Sequence, residues 1–285
     1  MNCKNCGYAI NGNYCSQCGQ DSSIGRINLP NFIHELSESI FQIDKGLFFT
    51  IKELFLRPGE SLNEFINGKR KNHFKPIAYV LTLSAVYFVI TQITHQNTWI
   101  DDLLSGWLNG AKEQNVKNEA PIIITWFSKN YAYSTLLLLP LFSLASYLSF
   151  FKFDKNYLEH IVINSYITGQ QAILYAIFAI MGSFLKNDLV EISSLIVSIS
   201  YAFWVLWHFF SPTKLMNTIL RLFLTYTLYF IFSLVLLFAT MGFYTLLTKT
   251  NTPRFQNFYT TNYFRLLIFQ FAPAKILFSY GILTH

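Results

Sequence analysis

Residues 77–94 read IAYVLTLSAVYFVITQIT, a run without a single charged side chain. A helix needs about 20 apolar residues to cross a hydrocarbon layer of about 30 Å, and this run has that length and character. Four later runs resemble it: Tyr131–Phe151, Ile161–Leu185, Leu189–Phe210 and Leu222–Leu247. The sequence therefore predicts an all-α polytopic membrane protein with about five transmembrane helices, give or take one.

The composition supports a membrane domain over residues 77–248. Hydrophobic residues make up 52% of the chain and charged residues only 13%, whereas soluble domains carry about 25% charged residues. The strands of a membrane β-barrel would be about ten residues long with alternating hydrophobicity, and these runs show neither feature. A large buried helical core would need more polar surface than this sequence supplies.

The C-terminal tail, residues 249–285, is the ambiguous part of this domain organisation. Residues 263–283 are apolar enough for a sixth span, yet Pro273 and Lys275 lie near the middle. A central lysine is costly in lipid and a proline kinks a helix. We expect an interfacial or re-entrant segment, with a sixth span as the alternative, so the side of the C-terminus stays open.

The charge distribution predicts the orientation in the membrane. The first 76 residues hold nine of the 21 lysines and arginines, and basic residues concentrate on the cytoplasmic side of membrane proteins. The N-terminus has no basic region leading into an apolar stretch, which a secretory signal would require. We therefore expect a protein of the cytoplasmic (inner) membrane with its N-terminus in the cytoplasm.

All four cysteines lie in residues 1–22, in the stretch MNCKNCGYAINGNYCSQCGQ, as two Cys-x-x-Cys-Gly motifs. The ligand set is Cys3, Cys6, Cys15 and Cys18. Glycine after each pair suits a tight knuckle that turns backbone N–H groups toward the sulfur atoms. Four thiolates in a tetrahedron favour Zn²⁺ and leave no open position, so the spacing predicts a zinc ribbon with a structural Zn²⁺. Asn11-Gly12-Asn13 predicts a short hairpin between the knuckles.

The sequence disfavours two other uses of the cysteines and one other class of partner. Two disulfides would need an oxidising compartment, and the predicted cytoplasmic N-terminus disfavours them. A redox Cys-x-x-Cys pair is disfavoured because two matched knuckles occur without a thioredoxin-like sequence. Lys4 is the only basic residue of the cysteine segment, which does not favour nucleic acid as a partner.

Residues 23–76 form a basic juxtamembrane region with amphipathic helices. The first predicted helix places six apolar side chains on one face: Leu29, Phe32, Ile33, Leu36, Ile40 and Phe41. Shorter helices are expected over about Leu47–Leu56, stopped by Pro58, and over about Leu62–Asn67, ending at Gly68. The basic patch that follows comprises Lys69, Arg70, Lys71 and Lys75. It is foremost the topology signal of the first span, and we expect it to face anionic lipid head groups as well.

Three amide side chains are candidates for an intramembrane polar site: Asn164, Gln170 and Gln171. They could line a water-filled cavity, because polar groups within spans often mark a transport pathway. Hydrogen bonding between helices is the favoured interpretation. No paired catalytic carboxylates, His-Glu-x-x-His motif, nucleophile elbow or phosphate loop indicates an enzyme.

The cysteine motifs followed by FQIDKGLFFTIKELFLRPGESLNEFINGKRKNHFKPIAYV resemble an uncharacterised bacterial membrane family, the domain of unknown function 3667. The resemblance covers about residues 1–95 and implies an N-terminal zinc ribbon followed by several membrane helices, with no activity to carry over. It rests on these residues: Lys45, Gly46, Thr50, Arg57, Pro58, Gly59, Gly68, Lys69, Arg70, Lys71 and Pro76. The phrase LFLRPGE and the five helices also resemble, more loosely, the Yip1-type membrane proteins.

Two functions follow as expectations from this organisation. The first is an anchor or adaptor, in which the membrane helices hold a cytoplasmic zinc ribbon that docks a protein partner. The alternative is a transporter or channel-like protein for a small molecule or lipid, with a regulatory ribbon. The lipid bilayer is an expected partner in both.

Overall fold

The computed structural model describes residues 1–30, 32, 46–98, 101, 105, 109, 122–185, 188–210 and 215–248. Most of the first predicted amphipathic helix, including Ile33, Leu36, Ile40 and Phe41, lies outside these residues. The tail 249–285, and with it the candidate sixth span, lies outside them too.

The described part of the chain is helical and contains no regular β-strand. A 3₁₀ turn at Phe151–Phe153 connects the fifth and sixth helices. The eight α-helices named here are α1 Gly46–Leu56, α2 Pro58–Ile66, α3 Pro76–Thr94, α4 Ile122–Lys129, α5 Tyr131–Ser149, α6 Tyr157–Leu185, α7 Asp188–Phe209 and α8 Leu215–Thr248.

Five of these helices are long and apolar enough to cross a membrane. They are α3, α5, α6, the stretch Ile192–Phe209 of α7 and the stretch Leu215–Leu236 of α8. The expectation of an all-helical membrane protein with about five spans is therefore confirmed at the level of helix length and composition.

The fifth span begins earlier than the sequence predicts. Helix α8 starts at Leu215, so Arg221 lies in its second turn and not in the preceding loop. The Arg221 guanidinium donates to the Ser149 carbonyl at 2.7 Å and lies 5.1 Å from the centre of the Phe153 ring. A hydrogen bond and an aromatic face thus accommodate the charge of Arg221. The helix can therefore include this residue.

The spanning helices alternate in direction, with α6 at the centre of the bundle. Helix α6 packs against α3, α5 and α7, and α8 packs on α5 and α7. Tyr87 of α3 packs edge-on against Tyr131 at the start of α5, with ring centres 5.2 Å apart. At the opposite end, Asn63 of α2 contacts the carbonyl of Phe209, where α7 ends. This end carries the N-terminal residues and is called the N-terminal end below.

A hairpin of α1 and α2 covers the N-terminal end of the bundle. Pro58 is the first residue of α2, where its missing N–H leaves no hydrogen bond unmade. Gly59 lies so close to α7 that a Cβ there would stand 2.6 Å from the His208 carbonyl carbon. The apolar side chains of α2 are buried in the main core, so their face lies against the bundle.

A buried polar network joins this hairpin to the bundle. The Tyr79 hydroxyl donates to Gln170 Oε1 at 2.6 Å, and Gln170 Nε2 donates to the Ile51 carbonyl at 3.1 Å. Tyr201 of α7 donates to the Leu54 carbonyl at 3.1 Å. These bonds pair polar groups that would be costly to leave unmatched in an apolar interior.

The network depends on a close contact between α3 and α6, which two glycines of α6 allow us to test. A Cβ at Gly169 would stand 2.5 Å from the Tyr79 ring, whereas the nearest described atom of another residue to a Cβ at Gly182, Gln96 Oε1, would be 3.5 Å away. We expect Gly169→Ala to destabilise the protein by about 1–3 kcal/mol through overpacking. Gly182→Ala should be neutral or stabilising, because alanine favours helix.

Thermal unfolding of both variants in the same detergent measures this difference. Equal midpoints for Gly169→Ala and Gly182→Ala would contradict the close contact.

Candidate metal centre and its docking surface

The four cysteine sulfur atoms lie within 4.8 Å of one another. The Sγ atoms of Cys3 and Cys18 are 3.6 Å apart, and those of Cys6 and Cys15 are 3.5 Å apart. Both distances far exceed a disulfide bond of about 2.05 Å. Sulfur atoms around a tetrahedral Zn²⁺ with Zn–S bonds of about 2.3 Å stand about 3.8 Å apart. The four thiols therefore fit a single tetrahedral ion, which they can hold without a large rearrangement.

Each pair of cysteines lies in a knuckle of the same construction. The N–H of Gly7 donates to the Cys3 carbonyl and the N–H of Gly19 donates to the Cys15 carbonyl, both at 2.8 Å. Both glycines have positive φ, 78° and 69°, a conformation that residues with a Cβ rarely adopt. The glycine after each Cys-x-x-Cys is therefore required by the backbone of the turn.

The backbone does not form the predicted hairpin across Asn11-Gly12-Asn13. The antiparallel bridges join Asn2 to Ala9 and Tyr14 to Asp21, within each knuckle. The cysteine segment is a pair of successive knuckles, and its described residues include no regular strand. The segment is called the cysteine module below.

Backbone amides of the knuckles favour the thiolate form of two ligands. The amide of Cys18, ahead of the amide of Gln17, lowers the pKa of Cys15 to about 7. The amide of Cys6 is the largest influence in lowering the pKa of Cys3. Because metal ligands must be deprotonated, these amides prepare the site for a cation.

Cys6 behaves differently when no ion shares the cluster. The amide of Tyr8 lowers the pKa of Cys6, but desolvation by the neighbouring groups and hydrogen bonds with the other three thiols together raise it to about 12. One thiol of the metal-free cluster thus keeps its proton, and a bound ion would displace it.

The second knuckle docks on the loop that precedes the first span. Gln20 is only 3% exposed, and its Nε2 donates to the Gly68 carbonyl at 3.0 Å. Gln20 Oε1 accepts from the backbone N–H groups of Arg70 and Lys71, at 3.1 and 3.2 Å. One amide side chain therefore attaches the cysteine module to the loop through three hydrogen bonds.

Two lysines complete this contact. The Lys71 ammonium lies 3.6 Å from the point where a Cβ of Gly19 would stand. The Lys4 ammonium donates to the Ile24 carbonyl at 2.8 Å, and its chain lies 2.7 Å from a Cβ position at Gly68. Gly68, with φ of 108°, is thus required both by its conformation and by the close approach of Lys4.

The segment that follows the cysteine module contacts the start of α6. Arg26 Nε donates to Glu159 Oε1 at 3.0 Å, and Arg26 Nη2 donates to the Asp154 carbonyl at 2.8 Å. Glu159 Oε2 accepts from the Asn156 N–H, while Asn156 Oδ1 accepts from the Glu159 N–H, both at 2.8 Å. This reciprocal pair caps the start of α6, so Arg26 ties the module to a helix terminus.

The predicted basic patch contains Lys69, Arg70, Lys71 and Lys75. Lys69 pairs with Glu64 at 2.9 Å, and Arg70 donates to the carbonyls of Phe65 and Gly25 at 3.2 and 3.1 Å. Lys75 is the N-cap residue of α3. Part of the patch thus holds the loop and module in place, and contact with lipid head groups stays a prediction.

The loop also carries a half-buried histidine, His73. His73 Nε2 lies 3.0 Å from Ser61 Oγ, and the ring packs edge-on against Phe49 and Phe65. Burial holds the pKa of His73 below its usual value, with a smaller opposing effect of Glu64. The neutral ring is the form that this packing favours.

The predicted intramembrane polar residues face different neighbours. Gln170 contacts Tyr79 and α1 as described, and Gln171 Nε2 donates to the Ser198 carbonyl of α7 at 3.1 Å. Asn164 Nδ2 donates to Ser146 Oγ of α5 at 2.7 Å. The structure does not bring the three side chains together at one place, and each links α6 to another helix.

The residues that carry the family resemblance form one packed unit. A Cβ at Gly46 would stand 2.9 Å from the Asn72 carbonyl oxygen. Thr50 Oγ1 donates to the Gly46 carbonyl at 2.8 Å and accepts from the Phe74 N–H at 2.7 Å. Arg57 pairs with three carboxylates: Glu53, Glu60 and Glu64.

Residues 44–88 match the model of a family described as a protein of unknown function, DUF3667. The match covers α1, α2, the loop between α2 and α3, and most of α3, and it confirms the predicted resemblance over these residues. The four cysteines lie outside it. No curated protein and no solved structure matched the chain. A bacterial origin, a ribbon common to the family and the Yip1-type similarity stay predictions.

Sequence reasoning missed three residues that position the module: Gln20, Arg26 and Glu159. Gln20 follows the second Cys-x-x-Cys-Gly in a polar segment, where nothing marks it for burial. The spacing Asn156-x-x-Glu159 before an apolar run was the available signal for the helix cap.

The docking of the module can be tested with two glutamines of the second knuckle. We expect Gln20→Ala to cost about 1–3 kcal/mol, because the buried Gly68 carbonyl and the backbone N–H groups of Arg70 and Lys71 lose their hydrogen bonds. Gln17→Ala, at an exposed position of the same knuckle, should have little effect. Limited proteolysis of the segment between the module and α1, at constant metal content, measures how readily the module detaches from the loop. Equal cleavage rates of the two variants would contradict the docking role of Gln20.

Proposed function

We propose that this protein is a membrane-anchored adaptor that presents a zinc-stapled cysteine module to a protein partner. The five apolar helices supply the anchor. Cys3, Cys6, Cys15 and Cys18 would hold a structural Zn²⁺, which would supply a fixed tetrahedral junction between the two knuckles. In this proposal the N-terminus lies on the cytoplasmic side of the inner membrane, in keeping with the basic residues of its first segment.

Among the residues that the structure describes, the module is attached mainly through its second knuckle, and this observation carries the proposal. The second knuckle is fixed to the bundle through Gln20, whereas Tyr8 of the first knuckle is 52% exposed. A small fold held by one ion has no room for a buried active site, but it can offer a rigid surface. Fixed orientation also lowers the entropy cost of binding a partner at that surface.

The alternative, a transport pathway for a small molecule or lipid, finds less support in the bundle. A pathway through α6 would use polar side chains that converge on a shared cavity. Asn164, Gln170 and Gln171 instead donate to three different neighbours. Their hydrogen bonds favour a role in holding the helices together.

Affinity purification from membranes in mild detergent, followed by identification of bound proteins, tests the adaptor. The Cys15→Ser/Cys18→Ser variant should insert and extract like the parent protein but lose its module-dependent partner, because two thiolates no longer hold the ion. Ser16→Ala, an exposed position between the two replaced cysteines, is the matched control and should keep the partner.

An unchanged set of bound proteins in the double variant would contradict the adaptor proposal. If the parent protein, the double variant and Ser16→Ala are extracted from membranes at equal yield, loss of the partner reflects the module and not the anchor.

A further inference from the structure

The two knuckles are equivalent in construction but not in their surroundings. Each position of the first knuckle corresponds to the position twelve residues later in the second. The pairs are Cys3 and Cys15, Cys6 and Cys18, Gly7 and Gly19, and Tyr8 and Gln20. The same correspondence relates the bridge Asn2–Ala9 to the bridge Tyr14–Asp21. Cys3 N donates to the Tyr8 carbonyl as Cys15 N donates to the Gln20 carbonyl, both at 2.8 Å.

The occupant of the second knuckle is a basic loop. Gln20 binds the backbone of Gly68, Arg70 and Lys71, and the Lys71 ammonium lies beside Gly19. A tetrathiolate site with Zn²⁺ bound carries a net charge of about −2, which a nearby ammonium offsets. Hydrogen bonds and charge therefore both contribute to this intramolecular contact.

The equivalent surface of the first knuckle is uncovered by the described residues. No described heavy atom lies within 4 Å of a Cβ position at Gly7, the counterpart of Gly19. Tyr8 is 52% exposed where its counterpart Gln20 is 3% exposed, and Cys6 is exposed as well. The first twenty residues contain no carboxylate side chain, and their single basic side chain, Lys4, is directed to the Ile24 carbonyl of the docked side.

We infer that the first knuckle binds a lysine- and arginine-bearing segment of a partner protein, on the surface equivalent to the one by which the second knuckle binds the Gly68–Lys71 loop. The inference rests on the proposed function and names the chemistry of its partner. The thiolate cluster attracts the cations of the segment, and the exposed Tyr8 ring offers a face for a cation or an aliphatic stem. Tyrosine is also among the residues that most often dominate the energy of an interface.

The probe is a labelled peptide with the sequence of residues 66–73, INGKRKNH, titrated into the zinc-loaded full-length protein in a neutral detergent. Fluorescence polarisation measures its binding. A second peptide, INGEEENH, carries glutamate at the three basic positions and should not bind. Binding of the basic peptide should weaken as salt is raised, because exposed charges are screened.

Tyr8→Ala should weaken binding of the basic peptide by about tenfold or more, the scale for removing a dominant aromatic side chain from an interface. The matched control is Tyr133→Ala, an exposed tyrosine at the opposite end of the bundle, and should bind like the parent. Metal content measured for both variants shows that the module is intact, since Tyr8 contributes only its backbone to the knuckle.

Three results would overturn the inference: no binding of INGKRKNH, equal binding of INGEEENH, or equal affinities of Tyr8→Ala and Tyr133→Ala. In the last case the peptide would be competing with the loop at the second knuckle. Failure of this inference is distinguishable from failure of the adaptor proposal. A cysteine-dependent partner found by purification would still support the adaptor even if no basic peptide bound.

Discussion

The convergence of four thiol groups on one point is the constraint on which the N-terminal part of this structure depends. Within the cysteine module, the buried apolar cluster consists of Cys3, Ile10 and Cys15, with Cys18 packed against it. So small a core cannot by itself offset the conformational entropy of about twenty residues. An ion bound by the four thiolates can, since structural zinc sites contribute their binding free energy to folding. The orientation of both knuckles, and with it the position of Gln20, would follow from such a junction.

The module and the membrane bundle form a continuous chain of contacts. Gln20 fixes the second knuckle to the Gly68–Lys71 loop, and the loop is held to α1 by the hydrogen bond between Phe74 and Thr50. Helix α1 is joined in turn to α6 and α7 through Gln170 and Tyr201. The segment matched by the family model therefore connects the module to the spanning helices, which gives its glycines and its threonine a physical role.

Hydrophobicity was sufficient to predict the spans, because lipid-crossing helices need a length and a composition that few other structures share. It failed at the start of α8, where Arg221 is accommodated by a carbonyl and two aromatic rings that lie far away in sequence. The cysteine spacing predicted that the four sulfur atoms lie close together, since a knuckle is a local structure. Docking of the module could not be predicted, because burial of Gln20 depends on a loop about fifty positions away. Aligning the two knuckles would have revealed that Tyr8 and Gln20 are equivalent positions with unlike side chains.

The central claim is that a single ion, bound by four sulfur atoms, organises the cysteine module. X-ray absorption spectroscopy at the zinc edge, on purified full-length protein in detergent, tests it most directly. The expected spectrum shows one shell of four sulfur atoms at about 2.3 Å from the metal. Nitrogen or oxygen atoms in place of the sulfur shell, or purified protein that contains no zinc, would contradict it.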